Sequence, residues 1–387
     1  MIRALLPWWG PVALAVYLRA QLSLVNSLEW AGAVAVLAVA TLIWRRSLSP
    51  TLLMAFMVLI AALIADISSW GGPLRDLHLY LNAGSQFLNH SQVYTVDAIS
   101  RYPRGGLAFL PYLYAPPTLP LFGLLSLLPS VVSDWLWLAG STAAVIASLR
   151  LFGLSWRWSL AALVWTPIEQ GLFVGNIVIP SLLLLALAPR LKGLVVAGPL
   201  LKPQNGVMAL WLLRERAWRS LAMGILGVLA LVAVTLPLTG IGLWRDWIAS
   251  LLAYQRSEQL LTGLYGVGLG KYLPLWLFAI VAVAVTLLAL RARDREGLAR
   301  LGLASVIASP SLWNHGFIFA IPAFLRLRAD VLWLIAGMMC QGQWPGPQAA
   351  LGLGAISWIV TGLVRKAGDQ EFHPFPADRE PWPDIAD

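Results

Sequence analysis

Long apolar runs separated by short basic clusters organise this chain. The runs cover residues 5–28, 31–44, 51–67, 117–129, 135–149, 158–174, 177–189, 194–213, 220–239, 272–290, 299–325, 331–341 and 349–364. At 1.5 Å per residue, about 20 apolar residues cross the ~30 Å hydrocarbon core of a bilayer. The runs are continuously apolar and do not alternate in ~10-residue segments, so they predict helices and not barrel strands. Two stretches, 68–115 and 240–271, are too polar and too rich in Pro, Gly and Arg to be embedded, and are expected to be long loops.

Two runs do not read as simple spans. Residues 194–213 are basic at both flanks and broken in the centre from Gly198 to Gly206, around Lys202 and Pro203. Residues 299–325 repeat the plan, with Ser309-Pro310-Ser311-Leu312-Trp313-Asn314-His315-Gly316 in the middle. A segment that starts and ends on one side must turn round, so each is expected to be a pair of short helices reaching part way across. Irregular backbone at that depth is tolerated only when buried in protein or lining a wet cavity. Both tips should therefore meet a cavity open to the far side.

Composition agrees with an all-α, polytopic membrane bundle. Of 387 residues 59% are hydrophobic and 12% charged, against about 45–50% and 25% in soluble domains, and the mean hydropathy is +0.75. A water-soluble enzyme, a disulfide scaffold and a disordered protein are excluded; the one cysteine, Cys340, lies in an apolar stretch. The net charge of +9 does not indicate nucleic acid, because Lys and Arg stand singly or in small groups between apolar runs, as in cytoplasmic loops. With those clusters inside, the two long loops and their Arg75, Arg101, Arg104, Arg245, Arg256 and Lys271 lie outside, and the N-terminus lies inside. The N-terminal run is too long for a signal peptide and reads as a first membrane helix. Residues 1–366 are thus expected to form one transmembrane domain, followed at 367–387 by an acidic, disordered cytoplasmic tail.

Candidate chemistry collects in the loops and the breaks. Asp76 falls just after the third run, at the water–membrane boundary, and suits either a base facing a cavity, or a helix N-cap or salt bridge with the adjacent Arg75. From Leu77 the apolar residues Leu81, Gly84 and Leu88 follow at helical spacing, which predicts an interfacial helix. His78 lies in the same stretch. Lys202 sits in a hydrophobic segment immediately before Pro203; it is either functional, suited to hold a phosphate as a point charge, or it snorkels to the surface. His315 is placed in the same way, and Arg101 and Arg104 are loop arginines able to grip a phosphate or a sugar. No Walker loop, HExxH, GxSxG or metal-spaced carboxylate cluster is present, so nucleotide-driven transport, zinc proteolysis and acyl-serine chemistry have no residues to support them.

An ordered series of short motifs carries a resemblance. Asp76-x-x-x-Tyr80 with Ala83, then Tyr94, Tyr114-Ala115-Pro116-Pro117, Gly175-Asn176, Lys202-Pro203, and Ser309-Pro310 through Trp313 to His315 run in order along most of the chain. The set resembles glycosyltransferase family 87, integral-membrane enzymes that use polyprenyl-phosphate sugars. The chain differs in Ala115 inside the Tyr-Pro-Pro, Asn176 for a Gln and Gly316 for a second His. The resemblance implies a GT-C fold with its active site at the outer membrane face. It implies a hexosyltransferase, most naturally of mannose, moving the sugar from a polyprenyl-phosphate donor to a lipid or glycan acceptor by an inverting single displacement. In that reading Asp76 is the catalytic base, and Lys202, His315, Arg101 and Arg104 bind the donor phosphate. His78, Tyr80, Tyr114, Asn176 and Trp313 line the substrate cavity. No cofactor or bound metal is expected, and a divalent-ion requirement stays open. A lipid-linked-substrate transporter or flippase, with Lys202 and His315 along its path, is the alternative; a structural membrane component is the third.

Overall fold

A computed structural model describes residues 73–100, 111–154, 156, 159, 162–164, 166–256, 269, 273–309 and 312–326. The first three apolar runs, the last two, the acidic tail, Cys340, Arg101 and Arg104 lie outside the described residues. Regular structure within them is helical. Helix α1 (Arg75–Leu88) starts from Leu74, whose backbone is left-handed with φ 54°. The Leu74 amide donates to the Phe173 carbonyl at 2.7 Å, which ties the start of α1 to the end of a later helix. The face buried by α1 carries Leu77, Tyr80, Ala83 and Gly84, at the spacing of one helical stripe. The expected Leu81 and Leu88 are not on it: Leu88 is exposed, because the helix is rotated to bring Asp76 and Tyr80 inward. At Gly84 a side chain is excluded, since an added Cβ would overlap the backbone of Phe122.

After α2 (Val96–Ser100), a 3-10 turn at Pro116–Thr118 leads into α3 (Leu119–Ser126), which packs along α1. Helix α4 (Ser130–Leu151) is 22 residues, about 33 Å long. It points Ser133, Ser141 and Ser148 inward and leaves Val131, Val132, Trp135 and Leu136 on its outer face. That arrangement suits an element bathed in lipid, where the outside needs to be apolar. Helices α5 (Thr166–Val174) and α6 (Val178–Leu187) are joined by a three-residue reversal that starts at Gly175, with φ 70°.

The broken run at 194–213 resolves into a 3-10 turn (Lys192–Ala197), α7 (Gly198–Leu201), a second 3-10 turn (Pro203–Asn205) and α8 (Gly206–Arg214). Lys202 interrupts the helical path with φ −147° and ψ 120°. The proline that follows disfavours a helical conformation for the residue before it, so the break is written in Lys202-Pro203. The two arms pack on each other. Helix α9 (Trp218–Arg256) stays helical to residue 256 apart from Gly240, with φ 64° and ψ 161°. The stretch 240–256, expected as loop, is therefore mostly helix: its Leu243 and Trp247 pack against the aromatic residues around Tyr80.

Helix α10 (Leu275–Ala289) precedes α11 (Asp294–Ile307), which is buried at every position from Gly297 to Ile307. Its Arg300 is only 4% exposed and is paired with Glu296, one turn away, at 2.8 Å. The chain then reverses through a 3-10 turn at Asn314–Ala320 into α12 (Ile321–Arg326), both packed back on α11. The second broken run thus also folds back on itself as a hairpin. Ser130–Leu151 and Trp218–Tyr254 are each long and apolar enough to cross a membrane.

Candidate active site

Asp76 is the second residue of α1 and 7% exposed. It caps nothing: Leu74 holds the cap position and no side-chain cap bond forms there. Its carboxylate instead accepts the Asn176 Nδ2–H at 2.6 Å on Oδ2 and the Arg75 Nε–H at 3.1 Å on Oδ1. Negative charge in the first turn of a helix is also favoured by the helix dipole. Two partners leave lone pairs free on a carboxylate, which offers about four.

Asn176 reaches Asp76 because the α5–α6 reversal holds it. The Asn176 amide donates to the Gly171 carbonyl at 2.8 Å, and its Oδ1 accepts the Val178 amide at 3.0 Å. Gly175, just before it, has left-handed backbone, and a Cβ there would stand 2.9 Å from Leu77 Cβ. Its carbonyl accepts the Trp137 indole N–H at 2.8 Å. Glycine is needed for both reasons, conformation and close approach.

Beside the carboxylate stands a group of tyrosines. Tyr80 Oη and Tyr114 Oη are 2.9 Å apart, and the Ile177 amide donates to Tyr80 at 3.4 Å. Tyr94 Oη donates to the Tyr114 carbonyl at 2.7 Å, and Tyr112 shares a hydrogen bond with Thr118. The rings of Tyr80 and Tyr114 meet edge-to-face at 5.0 Å, and Phe122 and Trp137 pack against Tyr80. Burial holds the Tyr80 hydroxyl well above the ordinary phenol range, helped by Tyr114 and the Asp76 carboxylate. Burial raises Tyr94, Tyr112 and Tyr114 in the same way. The group is therefore neutral at any physiological pH and offers hydroxyls and ring faces. The Trp247 indole donates to the Leu113 carbonyl at 2.9 Å and pins this loop to α9.

Both re-entrant tips arrive at the same place. Lys202 is near enough to Asp76 for the carboxylate to act on it electrostatically, and His315 feels both Lys202 and Arg75. His315 is 3% exposed. Its backbone amide donates to Gln170 Oε1 at 3.2 Å, while both ring nitrogens are without a hydrogen-bond partner among the described residues. The Ala115 amide donates to the Leu200 carbonyl at 3.4 Å, joining the tyrosine loop to the first tip.

Of the residues singled out in the sequence, the structure gathers Asp76, Tyr80, Tyr114, Asn176, Lys202 and His315. Trp313 lies two residues before His315 in extended backbone and is half-buried. His78 is not among them. It lies two positions from Asp76, on the other side of α1, is exposed, and meets Asp134 at 3.0 Å. The salt bridge from Arg75 to Asp76 was anticipated and is present. Gln170 and Trp137 were not anticipated and carry no motif of their own. Among the described residues no group of three His, Cys, Asp or Glu side chains is placed to hold a metal ion.

Residues 112–312 match the model of glycosyltransferase family 87. That span includes Tyr114, Asn176 and Lys202 and stops short of Asp76 on one side and His315 on the other. A polyprenol-phosphate-mannose-dependent alpha-(1-2)-phosphatidylinositol pentamannoside mannosyltransferase of Mycolicibacterium smegmatis is 28% identical over 351 residues, covering 80% of this chain and 83% of the relative. No solved structure matches the chain. With more than half of its length matched, and with helices able to span a bilayer, the chain belongs to glycosyltransferase family 87 and is a membrane glycosyltransferase.

Proposed function

We propose that the protein transfers a hexose, mannose in the first instance, from a polyprenyl-phosphate donor to a lipid or glycan acceptor. In this reading it is a multi-pass protein of the cell membrane with its active site at the outer face. The observation that carries the reading is Asp76, a nearly buried carboxylate held by Asn176 and Arg75 and within electrostatic reach of Lys202. The mannosyltransferase relative supports the donor class.

In the proposed step the acceptor hydroxyl oxygen attacks the anomeric carbon from the face opposite the phosphate. Its proton passes to a free lone pair of Asp76, and the bond from carbon to phosphate oxygen breaks with its electron pair going to the lipid phosphate. One displacement inverts the anomeric centre. A phosphate leaving group needs positive charge but no proton, so one carboxylate suffices where a glycosidase needs two. Lys202 supplies that charge and the His315 ring a hydrogen bond; Arg101 and Arg104 are further candidates. Tyr80 and Tyr114 present neutral hydroxyls and ring edges to a sugar. Membership in a transferase family favours this over passage of a lipid-linked substrate.

The test is sugar transfer in membranes supplied with labelled polyprenyl phosphate mannose and, in parallel, polyprenyl phosphate glucose, with native lipids as acceptors. Asp76→Asn preserves size and one of the two hydrogen bonds, since its amide nitrogen donates and cannot accept from both Asn176 and Arg75. Its transfer rate should drop by roughly two orders of magnitude, the scale of general-base loss, with insertion unchanged. Activity within a few-fold of wild type would remove Asp76 from the chemistry. Transfer of glucose alone would correct the sugar.

A further inference from the structure

A groove of about 580 Å³ opens between the 3-10 turn at Lys192–Ala197 and the first half of α9. It lies at the far end of the elements that carry Lys202 and Trp247. From Arg219 to the kink at Gly240, α9 rises about 30 Å, so the basic mouth of the groove stands about one hydrocarbon thickness from the part of α9 that packs beside the tyrosines.

The groove has a charged mouth and a greasy body. Arg190, Lys192 and Arg219 ring the opening, and among the described residues none of them pairs with a carboxylate. Lys192 Nζ lies 5.9 Å over the Trp211 ring, which orients it without neutralising it. The mouth also adjoins the N-terminus of α9, whose unpaired amides favour an anion. Below, Met223, Val228 and Leu231 form apolar walls. The floor is set by glycine: Gly193 and Gly224 are packed so closely that a Cβ on Gly224 would overlap the Gly193 carbonyl, whereas a Cβ on Gly227 would meet nothing within 4 Å. Gly227 leaves the slot open.

We infer that this groove binds one anionic glycerophospholipid of the leaflet opposite the active site, its phosphodiester among Arg190, Lys192 and Arg219 and an acyl chain along Gly227. Basic pockets at that boundary select anionic headgroups. A zwitterionic lipid places its own ammonium beside the same three cations and is held more weakly. None of these residues belongs to the catalytic arrangement, so the site is separable from transfer.

The test uses the full chain in nanodiscs of phosphatidylglycerol or phosphatidylcholine, with retained lipid counted by native mass spectrometry. Wild type should retain phosphatidylglycerol preferentially. The combined variant Arg190→Gln, Lys192→Gln, Arg219→Gln should weaken that preference by about five-fold for each cation removed. Gly227→Leu, which has room for its side chain, should displace lipid of either headgroup while the protein stays folded and active on its donor. Unchanged lipid retention in both variants would overturn the site. So would photo-cross-linking from position 223 that captures a segment of this chain in place of lipid, because the groove would then be filled from within.

Discussion

Asn176 offers the sharpest probe of how the carboxylate is held. Its side chain bridges Asp76 Oδ2, at 2.6 Å, and the Val178 amide, at 3.0 Å, so it fixes one carboxylate oxygen to the backbone of α6. Asn176→Leu keeps the volume and removes both bonds. A hydrogen bond to a charged group contributes about 1.5–3 kcal/mol, which is about ten- to 150-fold in rate if it is spent on orientation. The expected result is a fall of that size in kcat with donor KM nearly unchanged, since Asn176 touches the base and not the phosphate. Asn176→Asp keeps the acceptor for Val178 but sets two carboxylates against each other, and should lose more than Asn176→Leu. The assay is initial-rate transfer from labelled polyprenyl phosphate mannose over a range of donor concentrations. The double variant with Asp76→Asn decides the interpretation: if Asn176 acts through Asp76, the second change costs almost nothing more, as groups working as a unit are not additive. A full multiplicative loss in that background would refute the positioning role.

The other expectations concern charge, backbone and pH. Lys202→Met should raise donor KM by about ten-fold or more, the scale of one charge-assisted contact, and Lys202→Arg should recover only part of it at a narrow turn; unchanged KM in both would retire the phosphate role. Gly175→Ala has to hold φ 70° and meet Leu77, so it should destabilise by about 1–3 kcal/mol, read as lower thermal stability in detergent together with reduced transfer. Tyr80, Tyr94, Tyr112 and Tyr114 all have their hydroxyls raised by burial. The unfolded chain loses these protons near pH 10 and the folded one only higher, so their contribution to stability is complete below pH 10 and is lost as pH rises above it. Tyrosinate absorbance should therefore appear together with unfolding for these four; their titration in folded protein would contradict their burial.

Much of this arrangement was legible in the chain because it is written in backbone chemistry. Lys202-Pro203 announces a break by forbidding helix at the lysine, and the structure has extended backbone there. The reversal after α11 follows from basic flanks around a Ser-Pro turn in an otherwise apolar run. What was not legible is rotation and long-range pairing. The apolar spacing on α1 is equally compatible with Leu81 or Tyr80 facing inward, and the choice is made by the α3 backbone pressing on Gly84. His78 read as a cavity residue because it lies in the same motif as Asp76, yet a separation of two positions turns it to the other side of the helix. Gln170 lies 145 residues from His315, and nothing local in either stretch indicates the bond. The helix after Gly240 was hidden by its polar composition, which describes solvent exposure and not backbone conformation.

One carboxylate between two re-entrant tips explains why the ends of those tips are irregular. A continuous helix through residues 194–213 would carry Lys202 past the level of Asp76 and commit its backbone groups to internal bonds. The break lets the chain turn at Lys202, which lies within electrostatic reach of the Asp76 carboxylate. The same economy holds at His315, where the turn hydrogen-bonds through its backbone to Gln170 and leaves the ring nitrogens without partners among the described residues. Buried polar atoms left unpaired cost stability, and the His315 ring nitrogens are such atoms among the described residues. In the proposed function a sugar phosphate would supply the anion for Lys202 and an acceptor or donor for the His315 ring.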